Sequence, residues 1–149
     1  MRRIVSLAVA AMVVTGSVPA GAGAPAQDET AALNAGYERG LAFGITPQTV
    51  GEMLHCSAMW DRWHYVVESA ADPAFKQGLR KELSASNAKA RKLHWQRMAR
   101  REMREDDDTA YFEGSRADAE SRADKHYADY MTGSERGRQV MTEYLAVCK

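Results

Sequence analysis

The side chains with the widest chemical repertoire in this sequence are its four histidines, His55, His64, His94 and His126. No two of them stand three or four residues apart, so none forms the pair on one helical face that is typical of zinc sites. His94 and Met98 are four residues apart and would suit copper. Met53, His55 and Met59 cluster in the same way, but eight methionines make such coincidences common. C-x-x-C-H, the attachment motif of covalent haem, is absent. We therefore predict no metal site and no cofactor.

The two cysteines, Cys56 and Cys148, invite a test for nucleophilic catalysis. His55 precedes Cys56, but neighbours in a helix point about 100° apart and do not face each other. In an oxidising compartment two cysteines allow one intramolecular bridge, which we predict between Cys56 and Cys148. The alternatives are a buried free Cys56 with an intermolecular bond at Cys148, or two free thiols. A bridged cysteine offers no thiolate for catalysis.

The acidic run Asp106, Asp107 and Asp108 could hold calcium if it opened an EF-hand loop. Such a loop would place Tyr111 where glycine is needed and Ala117 where the bidentate glutamate is needed. It fails at both positions. An acidic cluster at a helix N-terminus, favoured by the helix dipole, explains the run better.

The first 26 residues have the pattern of a secretory signal peptide, with a cleavage site after Ala26 or Ala22. Arg2 and Arg3 form a basic start, and an apolar run of residues 4–14 follows, too short to span a membrane. No later stretch is apolar enough to do so. We predict an exported protein, periplasmic or secreted, with a single domain over residues 27–149.

The charge balance argues against nucleic acid as a partner. The chain carries 20 basic and 20 acidic residues, and loss of the two leader arginines leaves the remainder weakly acidic. Proteins that bind nucleic acid usually have a basic excess, and export argues further against this class of partner.

The segment that organises the rest runs over residues 46–71. Thr46 followed by Pro47 predicts a helix start. An apolar stripe then recurs at spacings of three and four, which predicts one buried helical face. Its members are Met53, Cys56, Trp60, Trp63, Val67 and Ala70.

Helical patterns fill the remainder, and no alternating strand pattern occurs. We predict an all-α bundle of four to five helices. The first covers residues 27–43, and its Gly36 and Gly40 favour close packing while weakening the helix. The fourth starts at Ser115, or at Asp108 with a kink at Gly114. Its predicted inward stripe is Phe112, Ala119, Ala123, Tyr127 and Tyr130. The last helix starts after Ser134 and presents Val140, Met141, Tyr144, Val147 and Cys148 near one side.

The third predicted helix, residues 73–104, carries the strongest hint of a binding surface. Its apolar stripe comprises Phe75, Leu79, Leu83, Ser86, Ala90 and Leu93. Beyond Leu93 arginines take over the stripe, so the helix either bends there or projects past the core. Trp95 lies off the stripe among basic residues, a composition typical of interface hot spots. The predicted contact surface is Trp95, Arg97, Arg100, Arg101 and Arg104.

Three hypotheses for function follow. The first is a non-enzymatic exported protein that binds another protein through this basic surface. The second is an envelope-surface protein whose basic helix contacts anionic lipid. The third is an enzyme with a dispersed site, which a deep cleft with convergent carboxylates or histidines would favour. Against the first two, the acidic fourth helix could fold back and neutralise the basic one through exposed ion pairs.

Overall fold

The computed structural model describes residues 24–104 and 108–149, with side chains from Asp28 onward. This part of the chain is helical, without a strand. The helices are α1 (Ala24–Leu41), α2 (Val50–Ser69), α3 (Pro73–Gly78), α4 (Ala85–Glu102), α5 (Thr109–Met131) and α6 (Glu135–Val147), with a short 3-10 helix at Lys81–Leu83. The predicted all-α bundle is confirmed, with six α-helices in place of four or five.

Two sequence predictions fall largely outside the described residues. The predicted signal peptide lies there except for residues 24–26, with which α1 begins. Asp106 and Asp107 of the acidic run lie there too, whereas Asp108 is described. Among the helices that are described, none has the length and apolar character needed to cross a bilayer.

Helix α2 is the centre of the bundle, because α4, α5 and α6 all pack against it, while α1 packs mainly against α6. Five members of the predicted stripe are buried and Ala70 is half-buried. Burial extends beyond that stripe to the residues Leu54, His55, Ser57, Ala58, Met59 and Val66. A helix with neighbours on several sides has no single inward face, so the one-stripe description of α2 is incomplete.

The predicted start of α2 at Thr46 is wrong. The N-cap is Thr49, whose hydroxyl accepts a hydrogen bond from the backbone N–H of Glu52 (3.2 Å). The Glu52 carboxylate accepts in return from the N–H of Thr49 (3.0 Å) and of Gln48 (2.8 Å). This capping box satisfies backbone donors that a start at Pro47 would leave to solvent.

The third predicted helix is not continuous, which corrects the stripe and the expected bend. Gly78 ends α3, and Ser84 starts α4 by accepting from the N–H of Asn87 (3.4 Å). The break rotates the inward face, so the residues of α4 that are buried are Ala88, Trp95 and Ala99. Leu93 is instead 41% exposed. Helix α4 continues through Leu93 and stays against α2 along its last turns.

Helix α5 follows its sequence signals closely, and α6 follows them at its start. Asp108 caps α5 by accepting from the N–H of Tyr111 (2.7 Å), and α5 is one helix across Gly114. Its predicted stripe is buried except for the half-buried Tyr127. Ser134 caps α6, and Gly133 before it has φ of 73°, a conformation that suits glycine.

The predicted face of α6 is only partly correct: Met141 and Cys148 are buried, Val140 and Val147 are half-buried, and Tyr144 is 38% exposed, while Thr142, Leu145 and Ala146 are buried instead.

The predicted bridge between Cys56 and Cys148 is present, with 5.3 Å between the Cα atoms. Both cysteines are buried. The carbonyl oxygen of Cys148 also accepts hydrogen bonds from the indole N–H of Trp60 (2.6 Å) and of Trp95 (2.7 Å). One residue at the end of α6 is thus bonded to α2 twice and to α4 once.

Helices α1 and α6 approach closely at glycine. A Cβ built on Gly40 would lie 2.8 Å from the Cα of Glu143 and 2.7 Å from the Cβ of Ala146. Because both are parts of a packed helix, neither can yield cheaply. The predicted role of glycine in close helix packing therefore holds at Gly40.

Replacing Gly40 by alanine should destabilise the protein by about 1–3 kcal/mol, the usual cost of overpacking. Gly114→Ala is the matched control, because a Cβ there meets no atom within 4 Å. Alanine favours a helix over glycine by up to about 1 kcal/mol, so the control should be slightly stabilised. Urea denaturation measures both, and equal effects of the two substitutions would contradict the close approach.

Removing the bridge with Cys56→Ala and Cys148→Ala should lower the free energy of unfolding clearly. The bridge joins residues 92 apart, a loop worth about 4–5 kcal/mol in the chain-entropy model. Because the bridge holds α6 on α2, limited proteolysis should cut α6 first. A double variant with the wild-type melting temperature, or one cut first in α4, would show that the bridge is not what holds α6.

Candidate functional site

A cavity of about 460 Å³ lies between α2, α5, α6 and the segment that joins α1 to α2. Small-molecule sites commonly have volumes of about 300–1,000 Å³ and are mostly apolar with a few polar groups. The wall comprises Phe43, Ile45, Thr46, Pro47, Glu52, His55, Cys56, Arg122, Val140, Glu143, Tyr144, Val147 and Cys148. The Cys56–Cys148 bridge is therefore part of the wall.

Three aromatic rings meet at this site. His55 of α2 lies 5.6 Å from His126 of α5 and 5.2 Å from Tyr144 of α6, measured between ring centroids. His126 and Tyr144 are 4.7 Å apart. Burial, together with the positive Arg122 and the neighbouring His126, lowers the pKa of His55 to about 4. At neutral pH His55 is therefore an uncharged imidazole, and its buried Nε2 has no hydrogen-bond partner.

The charged groups of the wall differ in whether they already form hydrogen bonds or ion pairs with other residues. Glu52 is held by the α2 capping box, and its hydrogen bonds with the N–H groups of Gln48 and Thr49 keep the pKa of the carboxyl below its usual value. Glu143 accepts from Arg39 (3.4 Å) and Gln139 (2.8 Å). Arg122, in contrast, forms no ion pair or hydrogen bond with any residue in the described part of the chain.

This arrangement offers binding groups more than catalytic ones. The cysteines are tied in the bridge, and the two carboxylates are engaged by donors from the protein. Across residues 24–104 and 108–149, no three His, Cys, Asp or Glu side chains group together as metal ligands. The groups of this site that remain available to contact a ligand are an apolar wall, one arginine and one neutral imidazole.

The contact surface predicted from sequence is kept only in part. Trp95 is 5% exposed, slightly more than Trp60 and Trp63 at 0%, as predicted, yet it is buried. Its indole N–H is used inside the protein, on Cys148. Trp95 therefore cannot serve as a surface hot spot, because the rotated face of α4 turns it toward α2.

The four arginines of that prediction are exposed. Arg97, Arg100 and Arg101 lie on the second half of α4, and Arg104 follows its end. The Arg100 guanidinium lies over the ring of Phe112 in α5, 4.7 Å from its centroid. We call Arg97, Arg100, Arg101 and Arg104 the arginine surface.

The proposed neutralisation of α4 by α5 is not found among the described residues. Helices α4 and α5 both pack against α2, and Arg100 of α4 contacts Phe112 of α5. Lys92 of α4 pairs with Asp61 of α2 (2.6 Å), and Asp124 of α5 pairs with Arg62 of α2 (2.7 Å). The remaining α5 pairs join Arg116 to Glu113 and Glu120 within the helix.

The positive charges on this part of α4 affect the pKa of His94. Partial burial lowers the pKa of this histidine, and the nearby positive charges of Arg91, Arg97 and Arg101 lower it further. A positive potential at an exposed helix face attracts acidic partners and raises their rate of encounter.

Sequence reasoning missed the cavity. His55, His126 and Tyr144 stand far apart in the chain, and no motif links them.

Comparison of the chain with protein-family models, with curated proteins and with solved structures gives no match.

The pKa of His55 predicts how stability depends on pH. In the unfolded chain a histidine has its ordinary pKa of about 6.5, but in the folded protein the pKa of His55 is about 4. Between these values the unfolded state binds the extra proton, so the free energy of unfolding falls as pH drops from 6.5 to 4. His55→Phe should lessen this fall by roughly 1–3 kcal/mol, since one pKa unit is about 1.4 kcal/mol.

Urea denaturation of both proteins at pH 7, 5.5 and 4 measures the difference. Wild type and variant with the same loss of stability between pH 7 and pH 4 would contradict the buried, neutral state of His55.

Proposed function

We propose that this protein is a non-enzymatic exported protein, periplasmic or secreted, that binds an acidic protein partner through the arginine surface. The carrying observation is that Arg97 and Arg101 of α4 are exposed, and neither forms an ion pair with α5 among the described residues. Exposed arginines are accessible to a partner, and arginine is enriched in protein interfaces.

Export is supported from two directions. The sequence opens with the basic, apolar and small-residue pattern of a signal peptide. A disulfide bond joins its two cysteines, and such bonds persist in oxidising compartments rather than in the cytosol.

The chemical class of the partner is inferred from the side chains that the arginine surface presents. With Trp95 buried, the surface offers no exposed aromatic anchor on this part of α4. Binding then depends mainly on charge, which favours an acidic protein face and a contact that weakens with salt. An anionic lipid surface shares that chemistry, and it is the alternative that the experiment separates.

The test uses charge reversal at Arg97 and Arg101. Arg97→Glu with Arg101→Glu should leave the melting temperature nearly unchanged, because exposed charges contribute little to stability. The same change should abolish capture of a partner from an extract of the native envelope. Arg100 is left intact because it packs over Phe112.

The matched control is Lys125→Glu with Arg136→Glu, which changes the charge equally at exposed positions of α5 and α6. It should capture the same partner as the wild type. Loss of capture by both variants would show that net charge alone matters. Unfolding of the arginine variant would assign these residues to the fold. Sedimentation with phosphatidylglycerol vesicles, lost in the arginine variant only, would favour the lipid alternative.

A further inference from the structure

We propose that the cavity between α2, α5 and α6 binds a small amphipathic monoanion, a molecule with one carboxylate-like head group and a short aliphatic tail. The site and the ligand class are separate from the arginine surface, because no residue of α4 lines the cavity.

The apolar part of the site includes large apolar side chains that are exposed to solvent. Phe43 is 51% exposed and Ile45 is 60% exposed, both in the segment before α2. Val140 and Val147 of α6 line the same cavity, and Tyr144 beside them is 38% exposed. Covering such surface with an aliphatic chain is favourable by about 25 cal/mol per Å². A tail of a few methylene groups is the simplest occupant of this wall.

The charge expected of the head group follows from which charged side chain of the wall has no hydrogen bond or ion pair within the described part of the protein. Glu52 and Glu143 already accept hydrogen bonds from protein donors. Arg122 forms no hydrogen bond or ion pair in the described part of the chain, although its charge contributes to lowering the pKa of Glu52 in the same wall. A cationic head group would have to compete for carboxylates that already accept hydrogen bonds, whereas an anionic one meets a guanidinium whose donors are unused.

The experiment compares three ligands that share an eight-carbon chain and differ in the head group: octanoate, octanol and octylammonium. Isothermal titration of the folded protein at pH 7 should give saturable binding of one octanoate per chain. Octanoate should bind at least about tenfold more tightly than the other two, because a charge-assisted pair contributes 1.5 kcal/mol or more. Equal or tighter binding of octylammonium overturns the anion assignment. Non-saturable uptake, or no binding of octanoate, overturns the site.

Two variants place the ligand in this cavity. Arg122→Gln should remove the preference for octanoate over octanol while octanol still binds. Ile45→Ser should weaken both ligands, and it should fold normally because Ile45 is largely exposed. Arg136→Gln is the matched control, an exposed arginine of α6 outside the cavity, and it should bind like the wild type. An unchanged preference in Arg122→Gln overturns the proposal, as does equal loss in Arg136→Gln.

Discussion

The packing of this protein depends on one carbonyl group at the end of α6. The oxygen of Cys148 accepts from the indoles of Trp60 and Trp95, which belong to two different helices. The last carbonyls of a helix have no partner within it, and burying one without a donor would be costly. The same is true of a buried indole N–H. Each group therefore removes the cost of burying the other, and the disulfide at the same residue holds them together.

This junction also determines where the cavity lies. With the end of α6 fixed to α2, the wall between them is formed by the bridge itself and by Val147. Helix α1 follows α6 closely because Gly40 has no side chain to hold it off. The segment after α1 then brings Phe43 and Ile45 to the cavity mouth. An apolar site and a tightly packed core thus arise from the same contacts.

The sequence predicted the parts of the fold that depend on local periodicity. The stripe of α2, the inward alanines of α5 and the caps at Asp108 and Ser134 were all readable from spacing and capping chemistry. The third helix failed because a stripe at helical spacing can continue by coincidence across a break. Gly78 and the Ser84 cap were the signals of that break, and Trp95 was misplaced with it.

The cavity could not be predicted in this way. Hydrophobic periodicity indicates which face of a helix is buried, but it does not indicate where neighbouring helices leave a gap. Its wall combines residues from α2, α5, α6 and a connecting segment, and only the tertiary arrangement brings them together. His55 shows the same limit. It lies off the predicted stripe and is buried because α2 has neighbours on several sides.

The position of Cys148 has a consequence for how the chain matures. The six helices described for residues 24–104 and 108–149 precede it, so a chain emerging from its N-terminal side exposes the Cys56 thiol long before the second thiol exists. With two cysteines in the sequence, no wrong intramolecular pairing can form in the interval. The available error is a bond between two chains or to a small thiol. The bridge can therefore form only after Cys148 has been added to the chain, and it joins the end of α6 covalently to α2.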